Sequence, residues 1–352
     1  MHLPLLHISS RAGEREFDPL QLGIVEGRDW FPWLADREAA FRRAKRRTPE
    51  LNAASLAMAA AGSEVAYFAL LGGLFSAYDR ETALQLAGVI LPTVAVNQIV
   101  KSRFRFPRPP REAMHPWAFV APGDFTFPSG HAQNAVALGT FLALKAKRFW
   151  IRILGVSLAT TIPLSRVYLG VHYPRDVVAG AALGLATVAG VAHLEQPFRD
   201  WWLRKPRGSR GFAILFASSI AGLLTGSALA SFPLGVAGGL AVGHDLSGRS
   251  RFRLDEPTKK QRWAQGVVGT ALVMGTGFAV RPLIKRETPA AGQLAGILVG
   301  LTLTFGVPVV TNLAKRMQLW RKQRKRSAGS ASGARSRMDR APRVRTLSPD
   351  SK

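Results

Sequence analysis

The chain has 352 residues, with 48 Lys and Arg against 22 Asp and Glu, a formal charge of +26, no Cys and a mean hydropathy of +0.07. The lack of Cys excludes a disulfide-stapled scaffold and any thiolate-ligated zinc or iron–sulfur site. The charge calls for an anionic partner: nucleic acid, a membrane surface or a phosphorylated substrate.

Residues 1–50 are polar and hold no apolar run long enough for a signal peptide or a membrane span. Trp30, Phe31, Trp33, Leu34 and Phe41 are followed by Arg42, Arg43, Lys45, Arg46 and Arg47. That pattern fits a helix at the membrane interface, or a solvated helix packed on the protein. Apolar segments of near-spanning length follow at 53–77, 83–100, 129–146, 149–169 and 176–194. Their Ala and Gly content suits close packing in lipid. A basic linker (195–210) leads to a helix at 211–230, a turn at Ser231-Phe232-Pro233 and a short apolar piece at 234–245. A basic connector (246–264) and helices at 265–284 and 292–313 complete the run.

The expectation is an all-α polytopic membrane bundle of eight or nine spans, since 352 residues cannot supply a polar shell for so many apolar runs. Four segments are expected: a polar 1–50, a core at 51–195, additional membrane helices at 196–314 and a basic, largely disordered tail at 315–352. The tail holds 13 Lys and Arg against two acids, a net +11. Its basic stretch at 315–326 reads as contacting anionic lipid head groups in preference to nucleic acid. Lys and Arg bias places the connections near 147, 204 and 253, and the tail, on the cytoplasmic side. The loops at 101–128 and 170–175 then face the other side.

Three polar clusters lie at helix ends on that second face: Lys101 through Arg108-Pro109, then Pro128-Ser129-Gly130-His131, then Ser165-Arg166 through His172 and Asp176. Lys101, Arg108 and Arg166 bring three cations suited to phosphate oxygens. Ser129 and Gly130 open a helix, where backbone N–H groups and the helix dipole favour an anion, and Gly130 permits close approach. Asp176 lies four residues beyond His172 and can reach back to one imidazole nitrogen, orienting the ring and supporting positive charge on it. That describes a nucleophilic histidine. His131 can protonate a leaving oxygen and then activate water. No metal-ligand set accompanies them.

On these residues the sequence resembles the type 2 phosphatidic acid phosphatase superfamily, membrane lipid phosphatases that share a helical fold with vanadium haloperoxidases and glucose-6-phosphatase. The family pattern is KxxxxxxRP, PSGH and SRxxxxxHxxxD. Lys101, Arg108 and Pro109 match the first element, Pro128 to His131 the second, and Ser165, Arg166, His172 and Asp176 the third. The resemblance covers about residues 50–195. It implies that Lys101, Arg108, Ser129, Gly130 and Arg166 hold phosphate, that His172 forms a phosphohistidine supported by Asp176, and that His131 serves the leaving group and water. It implies no metal or other cofactor.

The resulting expectation is a metal-independent phosphatase acting on a lipid phosphate monoester or isoprenoid pyrophosphate, in the bacterial inner membrane with its site on the non-cytoplasmic face. A lipid phosphotransferase with the same site and a non-catalytic lipid-phosphate binding or transport protein are the alternatives. Oligomeric state is open. Two other features have readings of their own. Glu64, inside the first apolar run, reads as a structural partner of Asn97 or Gln98 in preference to a functional group. The aromatic loop at 110–127 reads as a lid or lipid entry wall, or as an interfacial anchor.

Overall fold

The apolar runs fold as helices because a backbone in lipid must satisfy its own hydrogen bonds. A computed structural model describes residues 47–77, 80–118, 120, 124–206, 208–247 and 259–307, with 310, 317 and 320 besides. Every regular element among the described residues is helical. The segment at 29–46 and almost all of 315–352, with the readings attached to them, lie outside the described residues.

Helix α1 (Pro49–Ala61) starts at Thr48, whose hydroxyl accepts from Leu51 N, with Pro49 in its first turn. Helix α2 (Glu64–Ala77) continues it at a bend of 54°. The single run expected at 53–77 is therefore a broken pair. The break lies at Gly62 and Ser63, where a Cβ on Gly62 would stand 2.6 Å from Ile162 and 3.2 Å from the His131 ring. Helices α3 (Arg80–Phe104), α4 (Gly130–Lys145), α5 (Phe149–Tyr168) and α6 (Pro174–Arg204) follow. Then come α7 (Ser209–Leu224), α8 (Ala228–Ser247), α9 (Lys259–Ala279), a short α10 (Arg281–Ile284) and α11 (Pro289–Leu301), which ends in a π turn at Thr302–Gly306.

The turn expected at Ser231-Phe232-Pro233 does not form; all three residues lie inside α8. Pro233 removes one helical N–H. The packing around it holds the helix together. The Ser231 hydroxyl donates to Pro289 O at 2.8 Å, and Phe232 meets Phe68 edge-on at 5.8 Å. Gly235 and Gly239 lie so close to the backbone of α11 that a Cβ would clash with it.

Four helical stretches among the described residues are long and apolar enough to cross a bilayer: Arg80–Phe104, Pro174–Arg204, Arg262–Ile284 and Pro289–Gly306. The bent α1–α2 pair is a candidate fifth, and α7 is apolar but shorter. Eight or nine were expected. Helix α4 has only 16 residues, α5 carries Arg152 and Arg166 near its ends, and α8 carries Pro233, His244 and Asp245. Val178, Leu185 and Leu194 on α6, and Val267 and Phe278 on α9, are each more than half exposed. So much open apolar surface on spanning-length helices makes the chain an integral membrane protein.

Helix α4 packs between α5 and α6, and α8 packs against α11, α7 and α3. The α4–α6 approach depends on small residues. A Cβ on Gly180 would stand 2.5 Å from Ser129 O, and one on Gly184 would stand 2.5 Å from Gln133 O. One buried apolar cluster includes Leu71, Leu86, Phe141, Val236, Val273 and Val299, and so runs through both halves of the chain. A buried polar network sets the start of α4. Gln133 donates to Thr93 O at 3.0 Å, and Asn97 donates to Gln133 Oε1 at 2.8 Å and to Pro128 O at 3.3 Å. These bonds use both amide hydrogens of Asn97, so it does not donate to Glu64. Glu64 is exposed at the start of α2, within electrostatic reach of Lys101 and Asp124.

Candidate active site

All three motif clusters converge where α3 ends, α4 and α6 begin and α5 ends. Lys101 lies in the last turn of α3, Arg108 in the loop beyond it and Arg166 in the last turn of α5. Ser129 caps α4, Gly130 and His131 form its first turn, His172 precedes α6, and Asp176 lies in the first turn of α6. Gly170, in the left-handed region at φ 72°, turns the chain from α5 toward His172. A Cβ there would stand 2.5 Å from Arg47, whose Nη2 donates to Ala113 O at 2.6 Å and whose Nε donates to Tyr168 O at 3.0 Å. Arg47, read from the sequence as part of a basic cluster, thus ties the loop after α3 to the end of α5.

The cations meet on a carboxylate that the motifs do not contain. Asp124 Oδ1 takes Lys101 Nζ at 2.9 Å, and Asp124 Oδ2 takes Arg108 Nη2 at 2.6 Å. Arg108 Nε also donates to Asp124 O at 3.2 Å. Burial pushes the Asp124 carboxyl up, but the charges and hydrogen bonds of Lys101 and Arg108 outweigh it and hold it below the usual carboxylate range. Lys101 and Arg108 are thus close enough to hold two oxygens of a single anion, a carboxylate here, as they could those of a phosphate. Arg166 is 4% exposed, and its Nε has no hydrogen-bond partner among the described residues. A buried guanidinium N–H left over in this way suits an anion.

Arg108 also reaches His172. Its Nη1 donates to Val171 O at 2.8 Å and lies 3.2 Å from His172 Nε2. A guanidinium can only donate, so Nε2 presents its lone pair. His172 is 2% exposed. Burial first, then the charges of Arg108, Arg166, Lys101 and His131, hold its imidazolium well below the usual histidine range, so the ring is neutral near pH 7. On the other side of the ring, His172 Nδ1 is 3.7 Å from Asp176 Oδ2, too far for a hydrogen bond. The expected reach of Asp176 to the imidazole is therefore indirect. The Thr126 hydroxyl stands between them, 3.1 Å from His172 Nδ1 and 2.5 Å from Asp176 Oδ2. Asp176 Oδ2 also accepts from Tyr173 N at 2.8 Å, which caps α6 and fixes the carboxylate.

His131 lies within the fields of Arg166, Lys101 and Arg108 and hydrogen-bonds to the Ala59 backbone of α1. Ser129 is fully buried; its N donates to Asp176 O at 2.9 Å, and its hydroxyl accepts from Ala132 N at 3.5 Å. The backbone N–H of Ser129 is thus committed to α6, while its hydroxyl hydrogen can still donate to an anion. Gly130 has a second reason to be Gly, because a Cβ would stand 3.0 Å from Asn97 Oδ1. Among the described residues no group of three or more His, Asp or Glu is placed to hold a metal ion.

Asp124 and Thr126 were not found by sequence reasoning. Asp124 is one of two acids in the loop at 110–127, beside the most cationic motif, which is a weak signal. Thr126 has none, because its role depends on where α6 places Asp176.

Residues 82–200, the stretch from α3 through most of α6, match the PAP2 superfamily profile. Decaprenylphosphoryl-5-phosphoribose phosphatase of Mycobacterium tuberculosis is 36% identical over 126 residues, 35% of this chain and 66% of that protein. Lipid A 4'-phosphatase of Bacteroides thetaiotaomicron is 47% identical over 62 residues, 18% of this chain and 28% of that one. Undecaprenyl-diphosphatase of Sulfolobus acidocaldarius is 46% identical over 63 residues, 18% of this chain and 30% of that one. This chain thus spans under a third of the latter two relatives. A solved transmembrane PAP2-type phosphatidylglycerolphosphate phosphatase from Bacillus subtilis aligns at 24% identity and a TM-score of 0.39, over 47% of this chain and 86% of that one.

Proposed function

The chain carries a PAP2-superfamily domain over residues 82–200, and from that premise we propose that it is a membrane phosphatase hydrolysing a lipid phosphate monoester or an isoprenoid pyrophosphate through a phosphohistidine. The relatives named above act, by their names, on lipid A, undecaprenyl diphosphate and a decaprenyl-linked phosphate. The observation that carries the reading is the position of His172 Nε2: a neutral ring nitrogen 3.2 Å from an Arg that shares an anion with Lys101.

In this reading Lys101, Arg108, Arg166, the Ser129 hydroxyl and Gly130 hold the phosphoryl oxygens. His172 Nε2 attacks phosphorus, and an N–P bond forms as the P–O bond to the lipid breaks. His131, protonated once the phosphoryl anion offsets the charges of Arg166, Lys101 and Arg108, gives that proton to the departing oxygen. Water then attacks phosphorus while His131 takes its proton; the N–P bond breaks, its electron pair returns to Nε2, and orthophosphate leaves. Asp176 supports the positive charge on His172.

The core at 51–195 would carry this chemistry, with 196–314 as additional helices. The tail at 315–352 would lie against anionic head groups. We place the site on the non-cytoplasmic face of a bacterial inner membrane, on the strength of the Lys and Arg distribution.

The test is orthophosphate release by purified protein from a panel of phosphatidate, phosphatidylglycerophosphate, sphingosine phosphate and undecaprenyl pyrophosphate. At least one should be turned over, and His172→Ala and His131→Ala should each lose turnover while remaining in the membrane. Orthovanadate should inhibit and EDTA should not. Wild-type turnover in His172→Ala would sink the mechanism, and strong EDTA sensitivity would point to a metal enzyme.

A further inference from the structure

The geometry points to Thr126 as the residue through which Asp176 acts on His172, a positioning residue that selects the reactive tautomer of the ring. The inference rests on the phosphohistidine reading above. A direct His172–Asp176 hydrogen bond is excluded by the separation of 3.7 Å. The Thr126 hydroxyl is within hydrogen-bond distance of both, at 3.1 Å from Nδ1 and 2.5 Å from Oδ2.

A hydroxyl has one hydrogen to give, and an ionised carboxylate can only accept. The Thr126 hydrogen therefore goes to Asp176. The oxygen is left to accept, and Nδ1 must carry the hydrogen that it accepts. The chain runs Nδ1–H to Thr126 Oγ1, and Thr126 O–H to Asp176 Oδ2. On the far side of the ring, Arg108 can only donate to Nε2. Both neighbours thus require the same tautomer, with the hydrogen on Nδ1 and the lone pair on Nε2. Thr126 is fully buried, and its backbone N donates to Phe106 O at 2.9 Å, so its hydroxyl is held where the relay needs it.

When Nε2 takes the phosphoryl group, the N–P bond uses that lone pair and the lipid oxygen leaves with a proton from His131. The ring keeps its Nδ1 hydrogen and becomes cationic. Thr126 then carries a hydrogen bond that strengthens as charge develops, because its oxygen is polarised by the Asp176 carboxylate. Without the hydroxyl, Asp176 would still stand near the ring, but nothing would hold Nδ1–H.

A residue that merely braced the loop would affect stability and leave the tautomer alone. The test therefore joins two readouts on full-length protein in detergent micelles: histidine 15N NMR, with His172 assigned by its Ala variant, and phosphate release from short-chain phosphatidate and undecaprenyl pyrophosphate. Wild type should show a neutral His172 with Nδ1 protonated at pH 7. Thr126→Ser, which keeps the hydroxyl, should retain that signature and most of the turnover. Thr126→Val and Thr126→Ala leave Arg108 alone to favour Nδ1–H, so the Nδ1–H signal should lose its hydrogen-bonded shift and move toward a tautomer mixture, and kcat should fall by about 10- to 100-fold with little change in KM. The Ala variant covers the case in which Val does not fold. Should His172→Ala be inactive while Thr126→Ala keeps wild-type kcat and the Nδ1–H signature, the relay is wrong and the nucleophile stands. Full turnover by His172→Ala would instead remove the underlying mechanism, and the NMR signature would still decide whether Thr126 sets the tautomer.

Discussion

Asp124 offers Lys101 and Arg108 a pair of anionic oxygens, as a phosphate would, at 2.9 and 2.6 Å. A phosphoryl group must compete with it for both cations. Asp124→Asn keeps the side chain's size and removes its charge. Orthovanadate inhibition should tighten by about tenfold, the worth of one charge-assisted hydrogen bond. Weaker inhibition would mean that Asp124 orients the two cations and does not compete for them. The motif residues themselves were legible because phosphate chemistry demands cations, helix N-termini and a paired histidine at close spacing. What escaped were residues whose role depends on the fold. Arg47 looked like surface charge, yet its guanidinium ends on Ala113 O and Tyr168 O. Thr126 is an ordinary hydroxyl until α6 brings Asp176 within 2.5 Å of it.

At the scale of elements, hydropathy located the helices and misjudged their ends. Helix α6 was expected to stop near 194, where its apolar run ends, but it continues to Arg204. Hydrogen bonding of the helix does not require lipid. Near the lost boundary Glu195 is paired with Lys145 at 2.9 Å, an exposed contact that helps register the polar end of α6 on α4. The break between α1 and α2 and the continuity of α8 were both missed for one reason. Gly62 and Pro233 are local signals, and in each case packing decided the outcome: Ile162 and His131 crowd Gly62, while α11 supports α8 across Pro233. The break in turn places Ala59 against His131, so an irregularity remote from the motifs touches the proposed acid.

For the whole molecule, the charge of +26 resolves into parts with different work. Lys101, Arg108 and Arg166 gather at one site, Arg47 is half-buried and spent on two backbone carbonyls, and the connections near 147, 204 and 253 carry the basic residues that argue for a cytoplasmic side. That topology is testable because the chain has no Cys of its own. Trp117, 81% exposed in the loop near the site, changed to Cys should react with a membrane-impermeant maleimide on intact cells. Lys147→Cys, between α4 and α5, should react only after lysis. The reverse pattern would place the site on the cytoplasmic face. The central claim is that His172 Nε2 bonds to phosphorus. Acid-sensitive, alkali-stable label should appear on His172 when wild-type protein turning over a 32P-labelled lipid phosphate is rapidly quenched in alkali, and should be absent from His172→Ala. Label on another residue, or rapid turnover with no labelled protein at any quench time, would contradict the account.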